Sequence, residues 1–352
     1  MQTSFISTLA MTSSMRQSIL GMQTDLAKAQ KEQASGRLAD VGLSLGTETG
    51  QTFSLRAEQS RLQTITDTNT VVSTRLGTTV QALTGIQQTA QTFLNDLTTD
   101  QTGQTSAAVI QQTATNGLQS LIAGLNTSLG GQYTFAGVNT DVKPITDYFA
   151  NPPSANKQAV DNAFLTTFGF AQSSPQVATI APAAMQSFID NQLTPLFQGA
   201  NWSSNWSSAS SQVIRSRISP TELVDTSVSA NESGMQKLAM AYTMISDLGI
   251  QNMNSSTQQV VLQAATSTGG VAVQDLTNIQ ANVGLTQQRI STANDQMTVQ
   301  MNILTAQDGS LENVDPYLTA TRVNNLTTQI ETAYQLTAQM QQLSLAKYLS
   351  GL

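Results

Sequence analysis

Residues 55–97 read LRAEQSRLQTITDTNTVVSTRLGTTVQALTGIQQTAQTFLNDL. Leu55, Leu62, Leu76, Leu83, Ala90 and Leu97 occupy one heptad position, and Ile65, Val72, Ile86 and Phe93 occupy its partner. Apolar residues at alternating steps of three and four make the seam of a coiled-coil-like helix. Asn69 and Thr79 are the two polar exceptions in it. The stretch predicts one unbroken helix about 65 Å long at 1.5 Å per residue.

Working outward, the same period appears on both sides. Met15, Ile19, Met22, Leu26 and Ala29 form an earlier stripe, which Ser35-Gly36-Arg37 interrupts. Gly42 and Gly46 then mark an irregular connector. A third helix is expected from Thr105 to Leu129. In the second half, Met235, Leu238, Tyr242 and Ile245 form a stripe ending near Gly249. Leu276, Val283, Ile290, Met297 and Leu304 repeat every seven residues. A last helix, expected after a break at Asp308, Gly309 and Pro316, carries Val323, Leu326, Ile330, Ala333, Met340 and Leu343.

Proline divides this pattern. Six of the eight prolines lie between Pro144 and Pro195, so the 143 residues before them are free to be helical. Nine of the eighteen aromatic residues fall between Tyr148 and Trp206. The fold class that follows is mainly α: an elongated antiparallel helical bundle or coiled coil built from both termini, with a hairpin and a small β-containing insert. Gly130-Gly131-Gln132-Tyr133-Thr134-Phe135-Ala136-Gly137 reads as the glycine-bounded hairpin strand. Asn201-Trp202-Ser203-Ser204-Asn205-Trp206-Ser207 reads as an exposed loop, and Val213 to Ile218 as a strand returning to the body.

Composition removes most catalytic chemistry. The 352 residues include no Cys and no His, and only 11 % are charged, against about 25 % in ordinary globular chains. A Ser-His-Asp triad, a thiol nucleophile, an ordinary zinc site and haem ligation are all excluded. Fifteen basic and 22 acidic residues argue against nucleic acid and against an anionic membrane as partners. No apolar run reaches the roughly 20 residues of a membrane span, so no membrane insertion is expected. The N-terminal stretch lacks a basic start followed by an apolar block, so no cleaved secretory signal is expected either. Thr and Gln, about a quarter of the chain by ordinary counting, supply the solubility that charge does not.

Chemistry-bearing clusters read as structure. Asp308, Glu312 and Asp315 lack the spacing of a calcium loop and are expected to serve a turn and a helix cap. Asn201-Trp202-Ser203 and Asn205-Trp206-Ser207 match the glycosylation pattern, which is frequent by chance in so polar a chain. The paired Trp residues are expected to pack a small domain. No catalytic, cofactor-binding or metal residue is assigned. A hydrolase would need a carboxylate pair in the insert, with Asp161 and Asp190 as the candidates.

The two terminal stripes pose a physical question. Two amphipathic helices bury one seam against each other and leave apolar surface open, so copies from neighbouring molecules would complete the bundle. The residues expected at that interface are Phe5, Met15, Ile19, Met22, Leu26, Val323, Leu326, Ile330, Met340, Leu343, Leu345 and Leu349.

Three motifs in this order resemble the bacterial flagellin superfamily, and within it the hook-associated protein 3 family of hook–filament junction proteins. Ala34-Ser35-Gly36-Arg37-Leu38 resembles the end of the family's first helix. The segment from Gly130 to Thr140, with Gly131, Tyr133, Phe135 and Gly137, resembles the hairpin typical of junction proteins. Ala333 to Leu349, ending Lys347-Tyr348-Leu349, resembles the closing helix. The resemblance covers roughly 1–142 and 220–352. It implies an inner coiled-coil domain from 1–36 and 316–352, a helical-bundle domain with the hairpin from 37–142 and 220–315, and a variable outer insert at 143–219. It further implies no enzymatic activity and no cofactor. The expected partners are a homo-oligomeric ring in the flagellar axial structure, the other hook-associated protein on the hook side and flagellin on the filament side. An export chaperone at the C-terminal helix is also implied. Such a protein is extracellular, delivered by type III export. A filament-forming flagellin is the nearest alternative, and a secreted coiled-coil adhesin or effector is the second.

Overall fold

The computed structural model describes residues 8–100 and 106–349, with side chains over 10–99 and 106–342. Helices follow in the order α1 (Thr8–Ser35), α2 (Val41–Leu45), α3 (Thr49–Asp100), α4 (Ala107–Leu125), α5 (Ala155–Phe168) and α6 (Pro182–Phe188). They continue with α7 (Thr194–Leu196), α8 (Gly199–Asn205), α9 (Ser233–Asp247), α10 (Ser255–Glu312) and α11 (Pro316–Leu349). Two antiparallel hairpins pair β1 (Ser128–Leu129) with β2 (Gln132–Tyr133), and β3 (Arg215–Arg217) with β4 (Leu223–Asp225). The chain forms two compact units, residues 1–63 with 298–352, and residues 64–297.

In the unit of residues 64–297, α3 and α10 run antiparallel along the expected seam. Leu76, Leu83, Ile86, Ala90, Phe93 and Leu97 are buried, as are Leu276, Val283, Ile290, Ala293 and Met297. Asn69, one of the two polar exceptions, is fully buried and donates to Ile218 O at 2.8 Å and to Asn294 Oδ1 at 2.7 Å. Both bonds fix register where an apolar residue would slide. Helices α4 and α9 pack closely because Gly117 faces the Tyr242 ring. Helix α4 stops four residues before the expected Leu129. Asn126 ends it, and its amide both donates to Ile145 O (3.0 Å) and accepts from Ile145 N (2.9 Å).

The glycine hairpin is shorter than expected. Gly130 and Gly131, at φ 58° and 82°, form its two-residue turn. Both central positions with positive φ match the right-handed twist of the strands. Only Gln132 and Tyr133 are strand, after which the chain turns.

The region 143–219 is mostly helical, with β3 at its end. The expected Trp loop is corrected: residues 199–205 form α8, and Trp202 and Trp206 are each 1 % exposed. The two rings stack on one another at 5.4 Å, and Trp206 stacks in turn on Tyr148 at 5.2 Å, so apolar burial overrides a local sequence rich in Ser and Asn. Of the candidate carboxylates, Asp161 pairs with Lys157, and Asp190 accepts from Gln186 at 2.9 Å. Lys157 also reaches Asp247 on α9 (3.1 Å), whose carboxylate accepts from Tyr148 Oη at 2.6 Å. Burial pushes the Asp247 carboxyl up, against the opposing pull of Lys157 and Tyr148.

In the other unit, α1 ends at Gly36, whose φ of 71° and N–H bond to Glu32 O (2.8 Å) close the helix. The expected irregular connector contains a short helix, α2, capped by Asp40 Oδ1 accepting from Leu43 N at 3.0 Å. The expected break at Asp308 and Gly309 is corrected as well. Helix α10 passes through both to Glu312, since a lone glycine is tolerated within a helix. The break lies at 313–315, and Asp315 caps α11 by accepting from Tyr317 N (2.8 Å) and Leu318 N (3.2 Å), with Pro316 at the first helical position. Asp308 and Glu312 are buried and paired with arginines, not turn or cap residues.

Threonine is placed on the helices in a consistent way. On α3, the hydroxyls of Thr68, Thr70, Thr74 and Thr78 each donate to the carbonyl four residues back. On α11, Thr321, Thr327, Thr328 and Thr332 do the same.

Candidate functional site

The terminal helices α1 and α11 pack antiparallel within the unit of residues 1–63 and 298–352. Gln23 Nε2 donates to Tyr334 Oη at 2.8 Å, and Glu32 faces Arg322 at 3.9 Å toward the other end. The interface stripes meet as a seam. Ile19 is 6 % exposed, Ala29 is fully buried and Ile330 is 8 % exposed. Met15, Met22, Leu26, Val323, Leu326 and Met340 are only half-buried. Phe5 lies outside the described residues, as do the side chains of Leu343, Leu345 and Leu349.

Half-burial has a geometric cause. Two helices touch along one line, while an apolar stripe about 100° wide needs a third and fourth neighbour to cover it. Grooves therefore run along both flanks of the pair. One is lined by Met15, Met22, Ala333 and Leu336, the other by Ile19, Leu20, Tyr334 and Ala338. Leu20, Tyr334 and Leu336 stand 57 %, 51 % and 46 % exposed. None of these three belongs to the apolar stripes read from the sequence; each sits beside them. Their signal was their position next to them, where bundles recruit further helices.

Charge separates the two units. Residues 1–63 and 298–352 carry eight Lys or Arg and nine Asp or Glu, whereas residues 64–297 carry seven and thirteen. The unit holding the grooves is thus nearly neutral.

The hairpin residues sit in the other unit with distinct roles. Gly131 makes the turn, and Arg75 Nη2 donates to Tyr133 O at 3.0 Å. Phe135 is fully buried. Gly137, at φ 61°, passes so close to the chain that a Cβ there would lie 2.3 Å from Ser210 O. Ala136 bridges Ser229, and Val138 N donates to Gln212 O at 3.0 Å, which threads the segment between 210–212 and 229–230. Among the described residues, no group of His, Cys, Asp or Glu is arranged to hold a metal ion, and no helix is long and apolar enough to cross a membrane.

Comparison with known proteins agrees with this arrangement. The N-terminal helical region of bacterial flagellin matches residues 6–140, and the C-terminal helical region of bacterial flagellin matches residues 266–349. No curated protein sequence matches the chain. Among solved structures, one from Vibrio parahaemolyticus described as a flagellar hook-associated protein is similar at 9 % identity and a TM-score of 0.52, covering 75 % of this chain and 97 % of that one. Bacillus cereus FlgL is similar at 12 % identity and a TM-score of 0.43, covering 72 % and 98 %. Matched at both ends and over more than half its length, the chain belongs to the bacterial flagellin family, the structural and non-enzymatic proteins of the flagellum.

Proposed function

We propose that this flagellin-family protein is a junction adaptor, assembling after export into a ring that connects the hook side of the flagellum to the flagellin filament. The observation that carries the reading is the terminal pair: α1 and α11 seal one seam and leave an open groove on each flank. Copies inserting their own terminal helices would cover those grooves and so build an inner tube. Residues 1–36 and 316–352 then form the inner domain, 37–142 and 220–315 the bundle around it, and 143–219 the outer insert. Met15, Ile19, Met22, Leu26, Val323, Leu326, Ile330 and Met340 carry the packing between copies, and Phe5, Leu343, Leu345 and Leu349 extend it. The Gly131–Gly137 segment favours the junction position, since it resembles junction proteins more than filament flagellins. The flanking partners are the other hook-associated protein and flagellin, with a chaperone holding the C-terminal helix before export through the type III apparatus.

Deleting the gene, imaging the cells and assaying flagellin in the medium tests the position. Bare hooks with unpolymerised flagellin released outside support the junction role. Loss of flagellin itself would make the protein the filament subunit, a second reading favoured by the match of both ends to flagellin regions. Ile330→Asp tests the interface: a folded chain that no longer enters flagella is expected, and normal incorporation would remove the tube from the account.

A further inference from the structure

We propose that Arg37, Arg56, Asp308 and Glu312 form an ionic clasp that fixes the terminal helix pair to the ends of α3 and α10, and that opening the clasp frees the pair as a hinged unit. The chain breaks twice at this point, once at 36–40 between α1 and α2 and once at 313–315 between α10 and α11. Two main-chain bonds join the breaks: Leu38 N donates to Glu312 O at 2.9 Å, and Val314 N donates to Gly36 O at 3.0 Å. Beyond them, charged side chains gather at the junction.

Arg37 Nη1 lies 3.6 Å from both Asp308 Oδ2 and Glu312 Oε2. Arg56 on α3 reaches the same two carboxylates, with Nε 3.5 Å from Asp308 Oδ1 and Nη2 paired with Glu312. Glu32 extends the network from α1, accepting from Ala39 N at 3.2 Å and facing Arg322 on α11. Five segments therefore meet through six charged side chains in a chain that has few to spend.

Three features mark the cluster as a latch beyond its contribution to stability. Both acids sit in the last turns of α10, where the helix field disfavours negative charge, so they depend on the two arginines to remain buried. The acid side chains are 4 % and 1 % exposed, whereas those of Arg37 and Arg56 are 46 % and 43 % exposed, so water reaches the clasp from the cationic side alone. Asp308 Oδ1 and Glu312 Oε1 accept no hydrogen bond, leaving the pairing incomplete. A paired, incompletely bonded charge set holds a geometry only while every member is present. Removing one member leaves a buried charge that only an opened hinge can hydrate. The inference does not depend on which place in the flagellum the protein takes.

The chain contains no Cys, so two introduced thiols are unique labelling sites. Spin labels at Ser14→Cys on α1 and Ser310→Cys on α10 report the angle of the terminal pair by pulsed electron resonance in dilute, full-length protein. The reference chain should give one narrow distance. Arg37→Gln with Arg56→Gln, which strands both buried carboxylates, should broaden it at unchanged helical circular dichroism, with amide exchange at 36–40 and 313–316 at least tenfold faster. Arg56→Glu combined with Glu312→Arg should restore the narrow distance. Arg37→Gln, on the half-exposed side, is the gentler opening, and it decides the question if the double neutralisation does not fold. Unchanged distances in both variants overturn the clasp. Loss of helix throughout the chain in both overturns it equally, since the cluster would then serve general stability and no hinge.

Discussion

Gly117→Ala probes how tightly α4 and α9 are pressed together. A Cβ at Gly117 would lie 2.3, 2.7 and 2.9 Å from Cε1, Cζ and Cδ1 of Tyr242, where ordinary contact begins near 3.4 Å. The ring has no room to retreat. It is fully buried, and Phe93 lies against it at 4.7 Å between centroids. Replacing glycine by alanine inside a helix favours folding by about 1 kcal/mol. Overpacking a rigid core costs about 1–3 kcal/mol, and overlap with three atoms of an immobile ring places this case at the upper end. The net expectation is a loss of about 1–2 kcal/mol, or a thermal midpoint roughly 2–8 °C lower in a unit of this size. Circular dichroism melts measure it directly. Gly85→Ala on α3 is the internal control: nothing lies within 4 Å of its Cβ position, so that change should stabilise by about 0.5–1 kcal/mol. In a Tyr242→Leu background the Gly117→Ala penalty should vanish, because the clashing atoms are gone. If Gly117→Ala raised the midpoint as Gly85→Ala does, the close α4–α9 approach would be wrong.

Three further outcomes are expected. Gly137→Ala places a Cβ 2.3 and 2.5 Å from the main-chain oxygens of Ser210 and Gln212 at a positive φ, so it should cost roughly 4 kcal/mol or more and show as a sharply lower urea midpoint. Burial raises the Glu232 carboxyl, so the folded chain holds that proton more tightly than the unfolded one and loses stability as pH rises from the ordinary carboxylate range through the raised value. Glu232→Gln should therefore raise the melting midpoint at pH 7 and leave it unchanged at pH 3. Trp202 and Trp206 are the chain's two tryptophans and both are buried, so emission should be blue-shifted in the folded protein and should move red with unfolding of the insert.

The long helices were legible because their information is local. Leu76, Leu83, Ile86 and Phe93 repeat at a helical period whether or not a partner is known, and each is buried where the period places it. The terminal stripes were legible for the same reason, and Ile19 and Ile330 seal the seam between them. What escaped was whatever depends on distant closure. Asp308 reads as a turn residue beside Gly309 until Arg37 and Arg56, some 250 residues earlier in the sequence, come against it. Trp202 lies among Ser and Asn, which favour loops, and it is the ring cluster with Trp206, Tyr148 and Phe197 that makes α8 worth forming. The grooves beside α1 and α11 follow from the number of helices at the seam, a quantity that no single stripe encodes.

The threonines on α3 and α11 have a consequence for the medium in which such a protein works. A free surface hydroxyl offers its proton to water, but those of Thr68, Thr74, Thr327 and Thr332 already donate theirs to their own helix. A wall dressed in this way is wetted mainly through neutral groups, with charge at scattered positions such as Asp67 and Glu331. When two such walls come together, little electrolyte is displaced, so dissolved salt has little leverage over the contact. A contact made through such faces would be expected to change little between fresh water and brine.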